Sequence, residues 1–114
     1  MMINRDKVRE KLLARKKELE VAIQMLAENR ASIEAEEVQD PLDQAIKSEM
    51  DDINITLEEN EREEHKRIIN ALAMLEDGTY GICIDCKTPI SEKRLELYSN
   101  AVRCITCQEN RETA

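Results

Sequence analysis

This chain is organised around two stretches, Cys83-Ile84-Asp85-Cys86 and Cys104-Ile105-Thr106-Cys107. They hold all four cysteines of the sequence as two C-x2-C pairs, and seventeen residues separate the pairs. That spacing is typical of four-cysteine zinc sites. Each pair turns the backbone so that two thiolates face one point, and two pairs complete a closed tetrahedral shell without an open catalytic position. The spacing therefore predicts one structural zinc ion with four ligands: Cys83, Cys86, Cys104 and Cys107.

Two other interpretations of the cysteine pairs compete with zinc. The first is a pair of disulfides, which is geometrically awkward across two intervening residues and lacks a secretory context. The second is a redox C-x-x-C motif, which usually accompanies a βαβ pattern, and no such pattern surrounds either pair. Structural zinc is therefore the favoured interpretation.

The composition is typical of long helices rather than of a globular sheet protein. Charged residues make up 37% of the 114 residues, with only two glycines and two prolines. The aromatic residues are Tyr80 and Tyr98, which is little bulk for a compact core. No apolar run approaches the ~20 residues of a membrane span, and none follows Met1 to indicate a signal peptide. Together with reduced, metal-binding cysteines, this predicts a cytoplasmic protein.

The first predicted element is a helix over residues 4–35. The span contains no glycine or proline, and Leu12, Leu19, Leu26 and Ile33 recur every seven residues. A seven-residue apolar repeat is the pattern of a coiled-coil helix.

A second helix is predicted after a loop at residues 36–39. Asp40 is expected as its N-cap, Pro41 as its first residue and Asp43 as part of an acidic first turn. Asp77-Gly78 is expected to end it, with the glycine as a left-handed cap. Its predicted apolar row consists of Leu42, Ile46, Met50, Ile53, Leu57, Ile68, Leu72 and Leu75.

Two helices joined by a short loop predict an antiparallel coiled-coil hairpin, and at ~1.5 Å per residue it is about 50 Å long. The predicted fold class is therefore mainly α. We expect the hairpin to occupy residues 1–78, and a four-cysteine zinc finger with a short C-terminal helix to occupy residues 79–114. Residues 58–67 contain no apolar side chain and are expected to face residues 12–18. His65 lies in this polar stretch and is expected to be solvated.

The predicted finger has a small apolar core that consists of Ile82, Ile84, Ile90, Leu95, Leu97 and Val102. Because so small a core does not fold unaided, metal binding is expected to supply the folding energy. Short strands are expected near residues 80–83 and 94–98. A short helix is expected from Cys104 to about Arg111.

The net charge of −8 is concentrated in one block of the chain. Residues 34–64 carry thirteen Asp or Glu against two Lys or Arg. Proteins that hold nucleic acid by its phosphates carry the opposite sign. Carboxylates crowded at the loop between the helices are suited to a basic surface or a bound Mg²⁺ instead. The sequence has no nucleophile pair, phosphate loop or open metal position, so it does not indicate an enzyme.

The sequence resembles the DksA/TraR family of C4-type zinc-finger proteins, small bacterial regulators of transcription, from about residue 5 to residue 110. The four-cysteine finger from Tyr80 to Cys107 carries one part of the resemblance. The loop sequence Asp40-Pro41-Leu42-Asp43-Gln44-Ala45 carries the other part, because it is similar to the family's D-x-x-D-x-A motif.

The resemblance implies a regulator that binds RNA polymerase rather than DNA, and we expect a monomer. In this family the hairpin enters the secondary channel of the polymerase, and two acidic residues and an alanine at its tip are needed for activity. By resemblance these residues are Asp40, Asp43 and Ala45. Some family members act with the alarmone ppGpp. The acidic run at residues 58–64 would repel a polyphosphate, so we expect little response to ppGpp here.

Two other functions stay open at this point. One is a zinc finger that binds nucleic acid, although the acidic charge and the lack of an aromatic stacking platform argue against it. The other is a structural coiled-coil adaptor, against which the loop motif argues. The role of Asp40 and Asp43 also stays open, because an N-cap and an acidic first turn explain both residues without any function.

Overall fold

A computed structural model describes residues 4–113 of the chain, and these residues form four helices. The long helices are α1 (Arg5–Ala35) and α2 (Pro41–Asp77), and the short ones are α3 (Glu92–Leu97) and α4 (Ile105–Thr113). Residues 4–113 contain no extended strand, so the predicted mainly α fold class is confirmed. None of the helices in this range is long and apolar enough to cross a membrane. The hairpin predicted for residues 1–78 begins at Met1, and its first three residues lie outside the described range.

The boundaries of α2 follow the local chemistry that the sequence predicts. The Asp40 carboxylate accepts a hydrogen bond from the Leu42 N–H at 2.9 Å, and the Asp40 carbonyl accepts one from the Gln44 N–H at 2.9 Å. Asp40 is therefore the N-cap, and Pro41 is the first helical residue. At the other end Gly78 has a φ of +82°, a left-handed conformation that favours glycine.

The described residues divide into two compact units, each of which takes part of both long helices. The loop unit is Lys17–His65, with the connection between α1 and α2. The cysteine unit comprises the described residues up to Lys16 together with those from Lys66 onward. The domain boundary predicted after residue 78 stays a prediction.

The cysteine unit contains most of the buried apolar side chains of the described chain. They come from both long helices and from the segment that follows Gly78. The members are Leu12, Ile68, Ala71, Leu75, Tyr80, Cys83, Ile90, Leu95, Ala101 and Val102. Because full burial of one large aliphatic side chain stabilises a fold by about 1.5–3 kcal/mol, this cluster is the main apolar core.

The loop unit is held together by different interactions. Its buried residues are Leu19, Asn54 and Glu58, of which only the leucine is apolar. Arg30 Nη1 of α1 lies 3.0 Å from Glu58 Oε2 of α2, and Arg62 Nη2 lies 2.9 Å from Glu58 Oε1. The first of these ion pairs joins the two helices, so a buried charge takes a position that an apolar residue usually holds in such a pair.

One row of α2 faces inward, and its chemistry changes along the helix. Its members are spaced alternately by four and three residues, and all are buried or half-buried. We call them the inward row: Lys47, Asp51, Asn54, Glu58, Glu61, His65, Ile68, Leu72 and Leu75. This spacing is the one that coiled-coil packing requires. The row is apolar in the cysteine unit and polar in the loop unit.

The predicted apolar row of α2 is wrong for the loop unit. Five of its members are 45–68% exposed: Leu42, Ile46, Met50, Ile53 and Leu57. From Ile46 onward each exposed member precedes a residue of the inward row by one position, which is about 100° of helix rotation. An unbroken helix cannot turn both rows inward. Because Ile68 and Leu75 are buried, the row that contains them is the one that faces inward.

The predicted pairing of residues 58–67 with residues 12–18 is also wrong. Glu58 contacts Arg30, and His65 Nε2 lies 3.4 Å from Glu20 Oε1. The His65 side chain is 28% exposed, so it is half-buried rather than fully solvated. The pairing is displaced because the loop at residues 36–40, which follows α1, runs beside the first turns of α2. An extended residue covers about twice the length of a helical one, so this short loop spans several helical turns.

The predicted short strands of the finger are wrong too. Residues 80–83 contribute only an isolated bridge between Ile82 and Pro89. Most of residues 94–98 belong to α3, whose N-cap is Ser91. The Ser91 Oγ accepts a hydrogen bond from the Arg94 N–H at 3.2 Å, and serine is among the favoured N-cap residues.

Candidate metal centre and interhelical loop

The four cysteines converge on one point. Their sulfur atoms all lie within 4.8 Å of one another, and Cys86 Sγ lies 3.7 Å from Cys104 Sγ. Four sulfurs around one zinc ion at ~2.3 Å lie about 3.8 Å apart, so the cluster has the size of a four-thiolate site. All four cysteines are free of disulfides. The structure thus brings together the four ligands that the spacing predicts.

The first cysteine pair lies on a tight turn that the backbone fixes. The Cys83 N–H donates to the Thr88 carbonyl at 2.9 Å. Lys87 has a φ of +61°, so the chain reverses directly after Cys86. The turn buries Cys83 and leaves Cys86 exposed, with its sulfur 2.8 Å from Thr88 Oγ1. One sulfur is therefore enclosed by protein, and the other faces solvent.

The second cysteine pair is tied to the first through the residues that flank the sulfurs. The Ile84 N–H donates to the Val102 carbonyl at 3.0 Å. Arg103 Nε donates to Asp85 Oδ2 at 2.8 Å, and Arg94 Nε donates to the Arg103 carbonyl at 3.0 Å. These hydrogen bonds hold the two turns at the distance that the sulfur cluster needs.

Asp85 and Arg103 are site residues that the cysteine spacing alone does not indicate. Asp85 lies inside the first cysteine pair, and Arg103 comes directly before the second. Their side chains form a charge-assisted hydrogen bond, which is stronger than a neutral one. Opposite charges at these two positions are the signal that would identify the contact.

The helix predicted after Cys104 is confirmed. α4 begins at Ile105, and the Gln108 N–H donates to the Cys104 carbonyl at 2.9 Å. Before the first cysteine pair, the Tyr80 hydroxyl donates to the Ser99 carbonyl at 2.8 Å. The cysteine segment is therefore anchored both before its first sulfur and after its third.

The environment of the sulfurs fits a bound cation. Burial of the Cys83 thiol raises its pKa, but backbone N–H groups that donate to the sulfur outweigh burial and bring the pKa to about 6. In contrast, the neighbouring Cys104 side chain raises the pKa of Cys107 to about 12. Crowded thiols cannot all ionise unless a positive charge offsets them. A divalent metal ion supplies that charge and deprotonates its thiol ligands.

The second candidate site is the interhelical loop with the first turn of α2. Asp40, Asp43 and Ala45 are all exposed there. Asp40 is held by its capping hydrogen bond, and Asp43 lies in the acidic first turn. Both carboxylates are stabilised by the positive end of the helix dipole. The structure thus places the three residues of the loop motif on one helix start in the loop unit.

Two polar side chains of α2 hold the loop in place, and the sequence analysis overlooks both. Lys47 Nζ donates to the Glu36 carbonyl at 2.6 Å and to the Glu34 carbonyl at 3.3 Å. Gln44 Nε2 donates to the Val38 carbonyl at 2.8 Å. Lys47 thereby caps the C-terminal end of α1, which has no basic residue in its own last turn. The acidic first turn of α2 is therefore presented on a supported backbone.

Comparison of the sequence with known proteins matches the chain to one family model and to several relatives. Residues 78–112 match the prokaryotic dksA/traR C4-type zinc finger. Over 75 residues the chain is 33% identical to the RNA polymerase-binding transcription factor DksA of Escherichia coli (strain K12) and of Salmonella typhimurium. The matched part covers 66% of this chain and 50% of each relative. The chain thus spans about half the length of these relatives.

A solved structure is similar over nearly the whole chain. Transcription factor DksA2 from Pseudomonas aeruginosa superposes with a TM-score of 0.78 at 29% sequence identity. The match covers 96% of this chain and 83% of that structure. It therefore includes the long helices as well as the four-cysteine segment.

Proposed function

We propose that this chain, which is similar to the DksA/TraR family of C4-type zinc-finger proteins, binds RNA polymerase and regulates transcription. The observation that carries the proposal is the similarity to transcription factor DksA2 over 96% of the chain. The relatives at 33% identity are named RNA polymerase-binding transcription factors. The family is one of transcription factors rather than of enzymes, which supports a regulator without catalytic activity.

The four-cysteine site takes one structural zinc ion in this function. The proposed ligands are the Sγ atoms of Cys83, Cys86, Cys104 and Cys107. Four thiolates close the coordination shell, so the ion stabilises the fold and activates no water. The hydrogen bond between Arg103 and Asp85 then keeps the two cysteine turns aligned around it.

We propose further that the interhelical loop enters the secondary channel of the polymerase, where Asp40, Asp43 and Ala45 act. Their exposure supports this role, as does the loop support from Gln44 and Lys47. A supported backbone loses little conformational entropy on binding, so its carboxylates can meet a basic group or a Mg²⁺ ion at low cost. The small side chain of Ala45 permits close approach one turn into the helix.

The proposal also includes a cytoplasmic monomer that neither reads DNA sequence nor responds strongly to ppGpp. Residues 34–64 carry thirteen acidic residues against two basic ones. Both basic residues already contact groups of this chain, since Lys47 donates to loop carbonyls and Arg62 pairs with Glu58. The block therefore repels phosphate groups, whether they belong to DNA or to a polyphosphate ligand.

A binding experiment with purified bacterial core RNA polymerase tests the partner and the channel together. We expect the full-length, zinc-loaded chain to bind, and a protein that enters the secondary channel to displace it. A ligand that binds elsewhere on the polymerase should leave the complex intact. Absence of binding, or tight and salt-sensitive binding to DNA alone, would contradict the proposed function.

The variant Asp43→Asn separates binding from action at the loop. It keeps the shape of the side chain and costs only about 0.3–1 kcal/mol of helix-dipole stabilisation. We expect normal folding, zinc content and polymerase affinity, with loss of regulation at a sensitive promoter in a purified transcription assay. Asp52→Asn, the same change at another exposed position of α2, is the matched control and should regulate normally. If the Asp43→Asn variant regulates as well as the wild type, the motif serves only to start the helix.

A further inference from the structure

An exposed apolar stripe runs along α2 in the loop unit. We call it the α2 stripe, and its members are Leu42, Ile46, Met50, Ile53 and Leu57, each 45–68% exposed. Their spacing of three and four residues places all five on one face of the helix. A contiguous row of large aliphatic side chains in water is unusual for a monomeric protein and marks an interaction surface.

Folding of the loop unit does not use the α2 stripe. One position after each stripe member from Ile46 onward, the inward row holds a polar residue: Lys47, Asp51, Asn54 and Glu58. Within residues 4–113, Asp51 Oδ1 and Glu61 Oε2 are buried without a hydrogen-bond partner. In the loop unit α2 therefore turns polar side chains inward and apolar ones outward. This is the inverse of the amphipathic arrangement that folding alone favours.

The borders of the α2 stripe are acidic. Asp43 and Glu49 lie on opposite sides of it, about 60° of helix rotation from its centre. Glu64 follows at its C-terminal end. The single basic residue of the described segment 42–57 is Lys47, which points inward and donates to the Glu36 carbonyl. A second copy of this chain would bring the same acidic borders against these, so self-association along the stripe is opposed by charge repulsion.

We infer that the α2 stripe docks on a surface of RNA polymerase that is apolar along its centre and bordered by lysine and arginine. The inference rests on the proposed function, because the polymerase is the partner. Apolar burial supplies the affinity, and the acidic borders select a basic rim and accelerate association. The stripe from Ile46 to Leu57 has the alternating spacing with which a helix presents anchors to a complementary surface.

The test compares two double variants that remove the same kind of side chain. Met50→Gln with Ile53→Gln interrupts the stripe. Val21→Gln with Met25→Gln is the matched control, since these residues of α1 are 53% and 63% exposed in the same unit. Glutamine is a good helix former, so both variants should fold. Against purified core polymerase we expect the stripe variant to bind roughly tenfold more weakly and the control to bind like the wild type.

Each outcome of this test has a separate meaning. If the wild type fails to bind, the proposed function fails. If the wild type and the stripe variant bind equally, only the docking inference fails. A wild-type dimer in sedimentation equilibrium that the stripe variant abolishes would assign the stripe to a second copy and overturn the inference. Both variants should melt at the wild-type temperature. A clearly lower melting temperature of the stripe variant alone would show that the stripe packs internally in solution, which also overturns the inference.

Discussion

The cysteine unit and the loop unit take their helices from the same two segments, yet different forces hold them. The cysteine unit buries Leu12, Ile68 and Leu75 of the helices and also contains the four-cysteine cluster. The loop unit buries one leucine, and a charged residue, Glu58, takes the central position instead. Polar pairs that keep access to water stabilise by only ~0–1 kcal/mol each. Stability is thus concentrated in the cysteine unit, and the apolar surface of the loop unit is left for binding.

Removal of zinc is expected to have the largest effect and to act on the cysteine unit. Zinc binding contributes about 10–16 kcal/mol in zinc-finger peptides, far more than any side-chain contact in the loop unit. After treatment with a chelator, we expect amide hydrogen-exchange protection to be lost across residues 79–107. The far-ultraviolet helical signal should largely persist, because α1 and α2 span 31 and 37 residues.

Addition of zinc should restore the lost exchange protection, and addition of magnesium should not. The metal content must be measured in the same samples. Unchanged protection of the Cys83 and Cys104 amides in demonstrably metal-free protein would contradict the assignment of zinc as the source of the finger's stability.

The same substitution, isoleucine to alanine, at one position of α2 in each unit compares the stability of the two units. Ile68→Ala is expected to lower the free energy of unfolding by ~2–5 kcal/mol, because Ile68 is fully buried. Ile53→Ala is expected to change it by less than about 0.5 kcal/mol, because Ile53 is 55% exposed and alanine favours the helix. Urea unfolding followed by circular dichroism measures both. Similar losses for the two variants would contradict the inward row described for the loop unit.

The ion pair between Glu58 and Arg30 in the loop unit can be removed by two kinds of substitution with opposite expected effects on stability. Glu58→Gln leaves Arg30 without its ion pair and is expected to cost about 1–2 kcal/mol. This is less than the ~3–5 kcal/mol of a fully buried pair, because Arg30 is one-third exposed. Glu58→Leu combined with Arg30→Leu is expected to be neutral or stabilising, since apolar side chains then replace both partners of the pair. Thermal unfolding of both variants measures their stability. A larger loss of stability for the leucine variant than for the glutamine variant would contradict an interior that accepts apolar side chains.

The smallest expected effect concerns the cap at the start of α2. Asp40→Ala is expected to cost about 0.5–2 kcal/mol, whereas Asp40→Asn should cost only a few tenths because asparagine caps equally well. Hydrogen exchange of the Leu42 amide, which donates to the Asp40 carboxylate, reports the cap directly. Equal loss of Leu42 protection in both variants would show that charge rather than capping holds this turn.

The helix boundaries and the metal centre could be predicted because their signals are local. The cysteine spacing, the Asp40-Pro41 start and the Gly78 end each depend on residues a few positions apart. The helix α3 escapes prediction although Ser91 is an equally local signal. The alternation of Leu95 and Leu97 around a polar residue is also the pattern of a strand, and it outweighs the cap when the sequence is considered alone.

The inward row of α2 could not be predicted from α2 alone. Leu57 and Ile68 are eleven residues apart, about three turns of an undistorted helix, so they share a face by the helical period. The seven-residue repeat set by Leu72, however, reaches Glu58 rather than Leu57. Only the packing against α1 decides between these two periods.

The pairing of the two helices depends on contacts that lie outside any periodic pattern. Lys47 and Gln44 hold the loop carbonyls of Glu36 and Val38 beside the first turns of α2. The path of the loop displaces every pair along the loop unit, including the one between Arg30 and Glu58. Neither propensity nor charge balance reports how far an irregular segment extends before a helix resumes.

The one-position offset between the inward row and the α2 stripe makes the length of α2 decisive. Deletion of a single residue between Glu58 and Arg67 would leave Ile68 in place and turn Leu57, with the stripe members before it, toward α1. Substitutions change one side chain at a time, whereas this deletion would exchange two complete faces of the helix. In the loop unit the inward face of α2 would then be apolar, and the face that carries the stripe would be mostly polar. The number of residues in these polar turns therefore determines whether the apolar side chains of α2 pack against α1 or stay exposed to another molecule.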